Sequence, residues 1–425
     1  MDEWQEVPFS EAVLINPPIR LKNSENYPFV DMASVEPSSK LVFAKEERKF
    51  TGGGSRFQSG DTLMARITPC LENGKIGQFY SDNPTIIAHG STEFIVIRGR
   101  PTVSETEFAY YLTKWEHVRS YAIGQMTGTS GRQRVPVNAF DQLLVPIPSV
   151  EEQRAIVSVL SALDDKINLN RRINETLEAM ARAIFKDWFV DFGPVRAKAE
   201  GRPPYLAPDL WALFPDALDD EDKPVGWTVV SLSEFAYLNP ESWSKNHQPV
   251  EIKYVDLANT KWGVIETTQR FNWKEAPSRA QRILRTGDTI VGTVRPGNGS
   301  FSFIGQDGFT GSTGFAVLRP KMDRYREFVY LSATSSENIE RLTHLADGAA
   351  YPAVRPDVVI ETESIKSNEE LLIHFSEIVE PLFAQIECNK VMSKDLAQLR
   401  DLLLPKLMSG EIRLCDAEKV VEAVA

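Results

Sequence analysis

Only three cysteines, Cys70, Cys388 and Cys415, occur in 425 residues. Scattered and odd in number, they exclude a disulfide framework and point to a reducing compartment. Five histidines without paired spacing form no recognisable zinc site. No stretch nears the roughly 18 uninterrupted apolar residues of a membrane span. The opening "MDEWQEVPFSEAVLINPP" carries acids and prolines where a secretion signal needs basic residues and then an apolar run. A cytoplasmic protein without a membrane partner is expected. Basic residues are scarce too: 47 Lys and Arg against 59 Asp and Glu leave a net charge of −12, which argues at first against nucleic acid.

Catalytic motifs are equally thin. "NPPI" at 16–19 has the outline of the Asn-Pro-Pro-aromatic motif of amino-group methyltransferases, but Ile19 stands where the stacking aromatic belongs. No glycine-rich cofactor loop precedes it, so it reads as a strand-end turn. "PDALDDEDK" (215–223) holds nuclease-like carboxylates in an acidic linker that cannot converge them on a metal, and "TGGGS" (51–55) lacks the Lys-Ser/Thr of a phosphate loop. No nucleophile and base declare themselves, and a non-catalytic chain is expected.

What the chain does contain is itself, twice. "EWQEVPFSEAVLINPP" from Glu3 falls on "GWTVVSLSEFAYLNPE" from Gly226, so that Asn16-Pro17 meets Asn239-Pro240. "FVDMASV" meets "YVDLANT", "GDTLMARITP" meets "GDTIVGTVRP", "GSTEFIVIR" meets "GSTGFAVLR" and "FAYYL" meets "FVYLS", in order and at lags between 220 and 227. Small loop insertions leave such a drifting lag. Each half offers short apolar or alternating runs bounded by Gly, Pro, Asn and Asp, the pattern of strands, and then a long helix. A Pro- and acid-rich stretch, 193–225, separates the halves and reads as an extended surface linker.

Both helices start at a marked junction. In "PIPSVEEQRAIV" Ser149 and Glu152 form a capping box, and Ser367 with Glu370 repeats it. Steps of four and three residues then give Ile156, Leu160, Leu163, Ile167, Asn170, Asn174, Leu177, Ala181, Ile184 and Trp188. Adding 219 gives Phe375, Val379, Leu382, Ile386, Asn389, Ser393, Leu396, Arg400, Leu403 and Leu407. These are seams with apolar ends and a polar middle. Pro381 should kink the second helix or delay its regular part. Two amphipathic helices could each pack on their own domain, but about 40 residues at 1.5 Å rise make some 60 Å, longer than one small domain covers. Antiparallel packing on each other about a pseudo-twofold axis is expected, with Asn170 and Asn389 meeting at the midpoint and fixing the register.

The segments 143–192 ("LLVPIPSVEEQRAIVSVLSALDDK…"), 212–234 and 399–414 ("LRDLLLPKLMSGEIRL") resemble the specificity subunits of type I restriction–modification enzymes, over essentially the whole chain. The resemblance implies an α+β fold. Two mixed, β-rich target-recognition domains (1–148 and 226–366) are joined by a central helix (149–192) and a C-terminal helix (367–409), with a tail at 410–425. Each domain would read one half of a bipartite site in double-stranded DNA, and the helices would set the gap. The subunit would itself hold no cofactor. Two adenine-modifying subunits would bring S-adenosylmethionine, and restriction (translocase) subunits would bring ATP and Mg.

Charge placement fits that implication. Residues 45–135 hold 12 Lys and Arg against 9 Asp and Glu, and residues 243–356 hold 15 against 11, so the acid lies elsewhere. Candidate DNA contacts on loops are Arg66, Lys75, Arg132, Gln133 and Arg134 in the first half and Arg295, Asn298, Tyr351 and Arg355 in the second. Arg can pair with guanine and Gln or Asn with adenine in the major groove. The late loop "MTGTSGRQRVP" (126–136) has lost its hydroxyls and Arg-Gln in its counterpart "LADGAAYPAVRP" (345–356), which argues against one shared contact scheme. Two other readings stay open: a two-headed structural adaptor, and a stand-alone adenine methyltransferase or nuclease.

Overall fold

The computed structural model describes residues 4–129, 131–244, 246–348 and 351–412. They form two compact units, one from residues 1–170 with 391–425 and one from residues 171–390.

In the first unit, strand Phe94–Gly99 lies between Val13–Ile15 and Thr62–Ala65 in a five-stranded sheet that continues through Ile76–Phe79 to Leu41–Val42. Its run "FIVI" is apolar without a break because both faces of the sheet are covered. Successive side chains point to opposite faces. Ile95 and Ile97 enter a core with Phe108, Tyr111 and Leu112 of helix Thr106–Lys114. Phe94 and Val96 enter another with Val30, Phe57 and Phe79. A second sheet runs Glu46–Lys49, Asn26–Val30, Ile87–Gly90, Ser55–Gln58, and Gln5–Pro8 pairs with Leu144–Ile147.

The second unit repeats this order of strands except for the edge strand Leu41–Val42, which has no counterpart in its sheet. Ala236–Leu238, Phe315–Pro320, Thr289–Gly292 and Phe301–Phe303 make one sheet; Gln269–Asn272, Glu251–Val255, Phe309–Ser312 and Ala280–Leu284 make the other; Thr228–Ser231 pairs with Glu363–Lys366. "FAVL" splits as "FIVI" does, Ala316 and Leu318 to one core and Phe315 and Val317 to another.

The repeated motifs have repeated jobs. Asn16 and Asn239, both left-handed (φ 49° and 47°), each close on the central strand: their amides donate to Val96 O and Val317 O at 2.7 Å, and their Oδ1 atoms accept from the same residues' amides. "NPPI" is thus a strand-end turn. Asp61 and Asp288, of the paired "GDT" motifs, are buried against Arg98 and Arg319 at 2.6 and 2.8 Å. Burial raises both carboxyls above their usual range, although the arginines oppose it.

The central helix spans Val150–Phe189 and the C-terminal helix Glu369–Met408. Ser149 caps the first as expected, its Oγ accepting from the Glu152 amide while Glu152 Oε2 accepts from the Ser149 amide at 3.1 Å. The second is capped one residue later than expected: Asn368 Oδ1, not Ser367, accepts from the Leu371 amide at 2.7 Å. Asparagine is as good a cap as serine. Pro381 does not interrupt this helix; it is exposed, while Phe375, Val379, Phe383 and Ile386 pack inward. That packing offsets the missing hydrogen bond.

All twenty seam residues are buried or half-buried. In the first unit Ile156, Leu160 and Leu163 share a core with Leu396, Leu403 and Leu407, so the helix segments pack on each other as well as on their domain. In the second, Phe189 meets Phe328 and Phe375, each at 5.1 Å between ring centroids. The two seam asparagines each have a polar partner across their own unit. In the first unit Asn170 Nδ2 donates to Ser393 Oγ at 3.2 Å; in the second Asn389 Nδ2 donates to Asn174 Oδ1 at 2.8 Å.

The 193–225 stretch is not simply extended. It forms short helices at Gly193–Ala199 and Pro208–Ala212 and buries Val195 and Phe214 in the second unit's core.

Candidate nucleic-acid interface

In the first unit the late loop is a hairpin tied down by main chain. Thr127 and Arg134 exchange amide–carbonyl hydrogen bonds at 3.0 and 2.8 Å. The same segment lies against 66–68, where the Val135 amide donates to Arg66 O and the Thr68 amide to Gln133 O. In the second unit Asp347 and Ala353 exchange the corresponding bonds at 3.1 and 2.9 Å, the Val354 amide donates to Thr293 O and the Arg295 amide to Pro352 O. The backbone frame is therefore repeated although the loop sequences differ.

Side chains separate the candidates into two groups. Arg66 Nη2 donates to Val135 O at 2.8 Å, and its Nε is buried with no acceptor among the described residues. Lys75 Nζ donates to Met32 O at 2.8 Å. Arg134 is exposed but grips Glu93 with two nitrogens, at 2.9 and 2.6 Å, and this contact holds the Glu93 carboxyl below its usual range. Arg132 is exposed on the hairpin and Gln133 half-buried beside it.

In the second unit Arg295 is left-handed (φ 49°) and heads a turn over Pro296–Asn298. Its guanidinium lies 5.1 Å from the centroid of the exposed Tyr351 ring, a cation–π distance. Asn298 and Arg355 are exposed. The structure thus brings Arg295 and Tyr351 together, and it places Arg132, Gln133 and Arg134 on one hairpin. Lys75 is not brought to that hairpin; it points back to the carbonyl of Met32.

Sequence reasoning passed over Trp262, which is 60% exposed beside the Pro296–Asn298 turn. Its signal was "WG" between two short β-like runs. It also passed over the Asp164–Arg400 pair, whose signal was an arginine in an otherwise apolar stretch of seam. Among the described residues no group of three or more His, Cys, Asp or Glu is placed to hold a metal, and no helix is long and apolar enough to cross a membrane.

Residues 2–179 match the family model described as the type I restriction modification DNA specificity domain. Over 408 residues the chain is 27% identical to the type I restriction enzyme HindI specificity subunit of Haemophilus influenzae, covering 84% of this chain and 87% of that one. It is 26% identical to the MjaIX specificity subunit of Methanocaldococcus jannaschii, over 73% of this chain and 69% of that one. The S subunit of the type I system of M. genitalium has a similar fold, with a TM-score of 0.50 at 15% identity over 96% of each chain. Over most of its length the chain is thus similar to type I restriction–modification specificity subunits, and residues 2–179 carry that family's DNA specificity domain.

Proposed function

We propose that each unit reads one half of a bipartite site in double-stranded DNA through its late hairpin and the neighbouring turn, and that the paired helices set the spacer. The observation that carries this reading is the repeated frame: the same main-chain bonds hold hairpins 127–134 and 347–353, while the side chains displayed differ. That is what two readers of different half-sites require. Arg132 and Gln133 are assigned to bases of one half-site, and Arg295, Asn298, Tyr351 and Arg355 to bases or phosphates of the other. Arg66 and Arg134 are bonded within the protein and are assigned to holding the loop in place, and Lys75, bonded to Met32 O, to holding its own turn.

The chain performs no chemistry itself and directs the adenine methylation and restriction of its partners. Its recognition regions carry only a small basic excess, so partner subunits closing on the duplex supply most of the phosphate contacts. Two modification subunits with S-adenosylmethionine, and restriction subunits with ATP and Mg, are the partners assigned, all acting in the cytoplasm. Exposed Ile173 and Met180 on the central helix offer apolar contact to the modification subunits.

The test is to map methylated adenines in the host with and without this chain. A split motif that loses methylation when the chain is removed supports the reading. An unchanged pattern overturns it.

A further inference from the structure

Strands Thr260–Lys261 and Val264–Ile265 turn through Trp262 and Gly263, both with positive φ (47° and 85°). Two left-handed residues match the twist of the strands they join, and Asn-Gly is the usual choice because bulky side chains strain that backbone. Tryptophan here is unfavourable twice over, in a strained conformation and with its indole exposed. Strain of this kind persists only where its surroundings enforce it, and it gathers at binding sites.

The surroundings do enforce it. The Trp262 amide donates to Gly299 O at 2.7 Å and the Gly263 amide to Phe301 O at 3.0 Å. The indole lies so close over Gly299 that a Cβ there would stand 2.5 Å from its Cε2, and it meets the Phe301 ring edge-on at 5.7 Å. It is held in one place without being buried. With Gly297, Ile339 and Thr343 it walls a shallow, mainly apolar groove, with Glu340 and His344 on the rim. Gly297 belongs to the turn headed by Arg295, so the groove continues the proposed reading face. The Glu340 carboxylate on the rim disfavours phosphate beside it. The apolar group that a base displays in the major groove is the thymine methyl.

We infer that Trp262 reads a thymine methyl group in the half-site assigned to the second unit. This rests on the DNA reading above. Among the described residues the first unit has no equivalent two-stranded hairpin, so the contact is confined to one half-site.

The test uses the full chain assembled with its modification subunits, after the site has been mapped. The half-site of the second unit is the one left unchanged when residues 1–145 are exchanged for those of a relative. Each of its thymines, on either strand, is replaced in turn by deoxyuridine, which removes only the methyl. One replacement should weaken binding about fourfold, the loss for one buried methyl at roughly 0.8 kcal/mol. Trp262→Asn, which suits the left-handed turn and so keeps the fold, should bind thymine and deoxyuridine equally at that position. Trp262→Phe should retain part of the difference. A half-site without thymine, no sensitive position, or a sensitivity that persists in Trp262→Asn overturns the inference and leaves the DNA reading standing. Absence of sequence-specific binding by the wild-type complex overturns both.

Discussion

Asp164 of the central helix grips Arg400 of the C-terminal helix at 2.6 Å, with both side chains almost wholly buried. The Tyr111 hydroxyl donates to the second Asp164 oxygen at 2.8 Å. Burial works against the Arg400 charge, but Asp164 and Asp401 more than offset it, so the guanidinium is held more firmly protonated than usual. At the repeat-equivalent positions of the second unit stand Phe383 and Ala181, both in its apolar core. One unit solves with charge what the other solves with packing.

Breaking that pair should be costly. Asp164→Ala or Arg400→Ala leaves a buried charge unpartnered and should lower unfolding free energy by about 3–5 kcal/mol. The triple change Asp164→Phe, Arg400→Ala, Tyr111→Leu copies the second unit and should lose far less. Urea unfolding of the three proteins checks this; equal losses would show that the two ends cannot exchange solutions.

A second expectation concerns pH. Burial pushes the Glu327 carboxyl up to about 7; its own backbone amide and Arg326 oppose the rise, while Glu380 and Asp323 add to it. Its Oε2 has no hydrogen-bond partner among the described residues. The folded state therefore favours the protonated form more than the unfolded state does. Stability from this group is full below about pH 4.5 and is lost as pH rises through 7, by on the order of 2–3 kcal/mol. Glu327→Gln should remove that decline in melting experiments between pH 5 and 8.

Two neighbouring arginines should part company. Arg132 is exposed, whereas Arg134 is clamped to Glu93. Arg132→Ala should relax recognition at one base of the first half-site, by about 1–3 kcal/mol. Arg134→Ala should weaken binding to all bases of that half-site alike, by disordering the loop. Competition binding against single-base variants of the site separates the two.

The polar middle of the seam gives a fourth prediction. Replacing Asn170, Ser393, Asn174 and Asn389 by leucine removes two polar pairings at 3.2 and 2.8 Å. Melting temperature should rise, while methylation spreads to sites with spacers one base pair longer or shorter, because apolar seams tolerate sliding. A higher melting temperature with an unaltered spacer would detach register from spacing.

Inserting one heptad into each long helix lengthens it by about 10 Å, near three base pairs. Methylation mapping should show the gap widened and the bases read unchanged. An unaltered gap would mean that the helices do not measure it.

Much of this was legible in the sequence. The seam residues lie inside because a 3.6-residue repeat can hide one face only, and the Ser149 box and the Asn16 and Asn239 turns declare themselves by local chemistry. What the sequence does not display is long-range. Arg66, Lys75 and Arg134 show their charge in the sequence, but their partners, Val135, Met32 and Glu93, lie 69, 43 and 41 residues away. The cap at Asn368 was hidden by a serine one residue earlier with equal credentials. The burial of Phe214 is tertiary, since a Pro- and acid-rich stretch gives no periodic face from which to read it.

The two late hairpins are anchored by amides and carbonyls, groups that nearly every residue supplies. A substitution at Gln133 or Tyr351 changes what is displayed without withdrawing a strut from the frame. On the proposed reading, a new target can arise by point change in either hairpin while the variant keeps its frame.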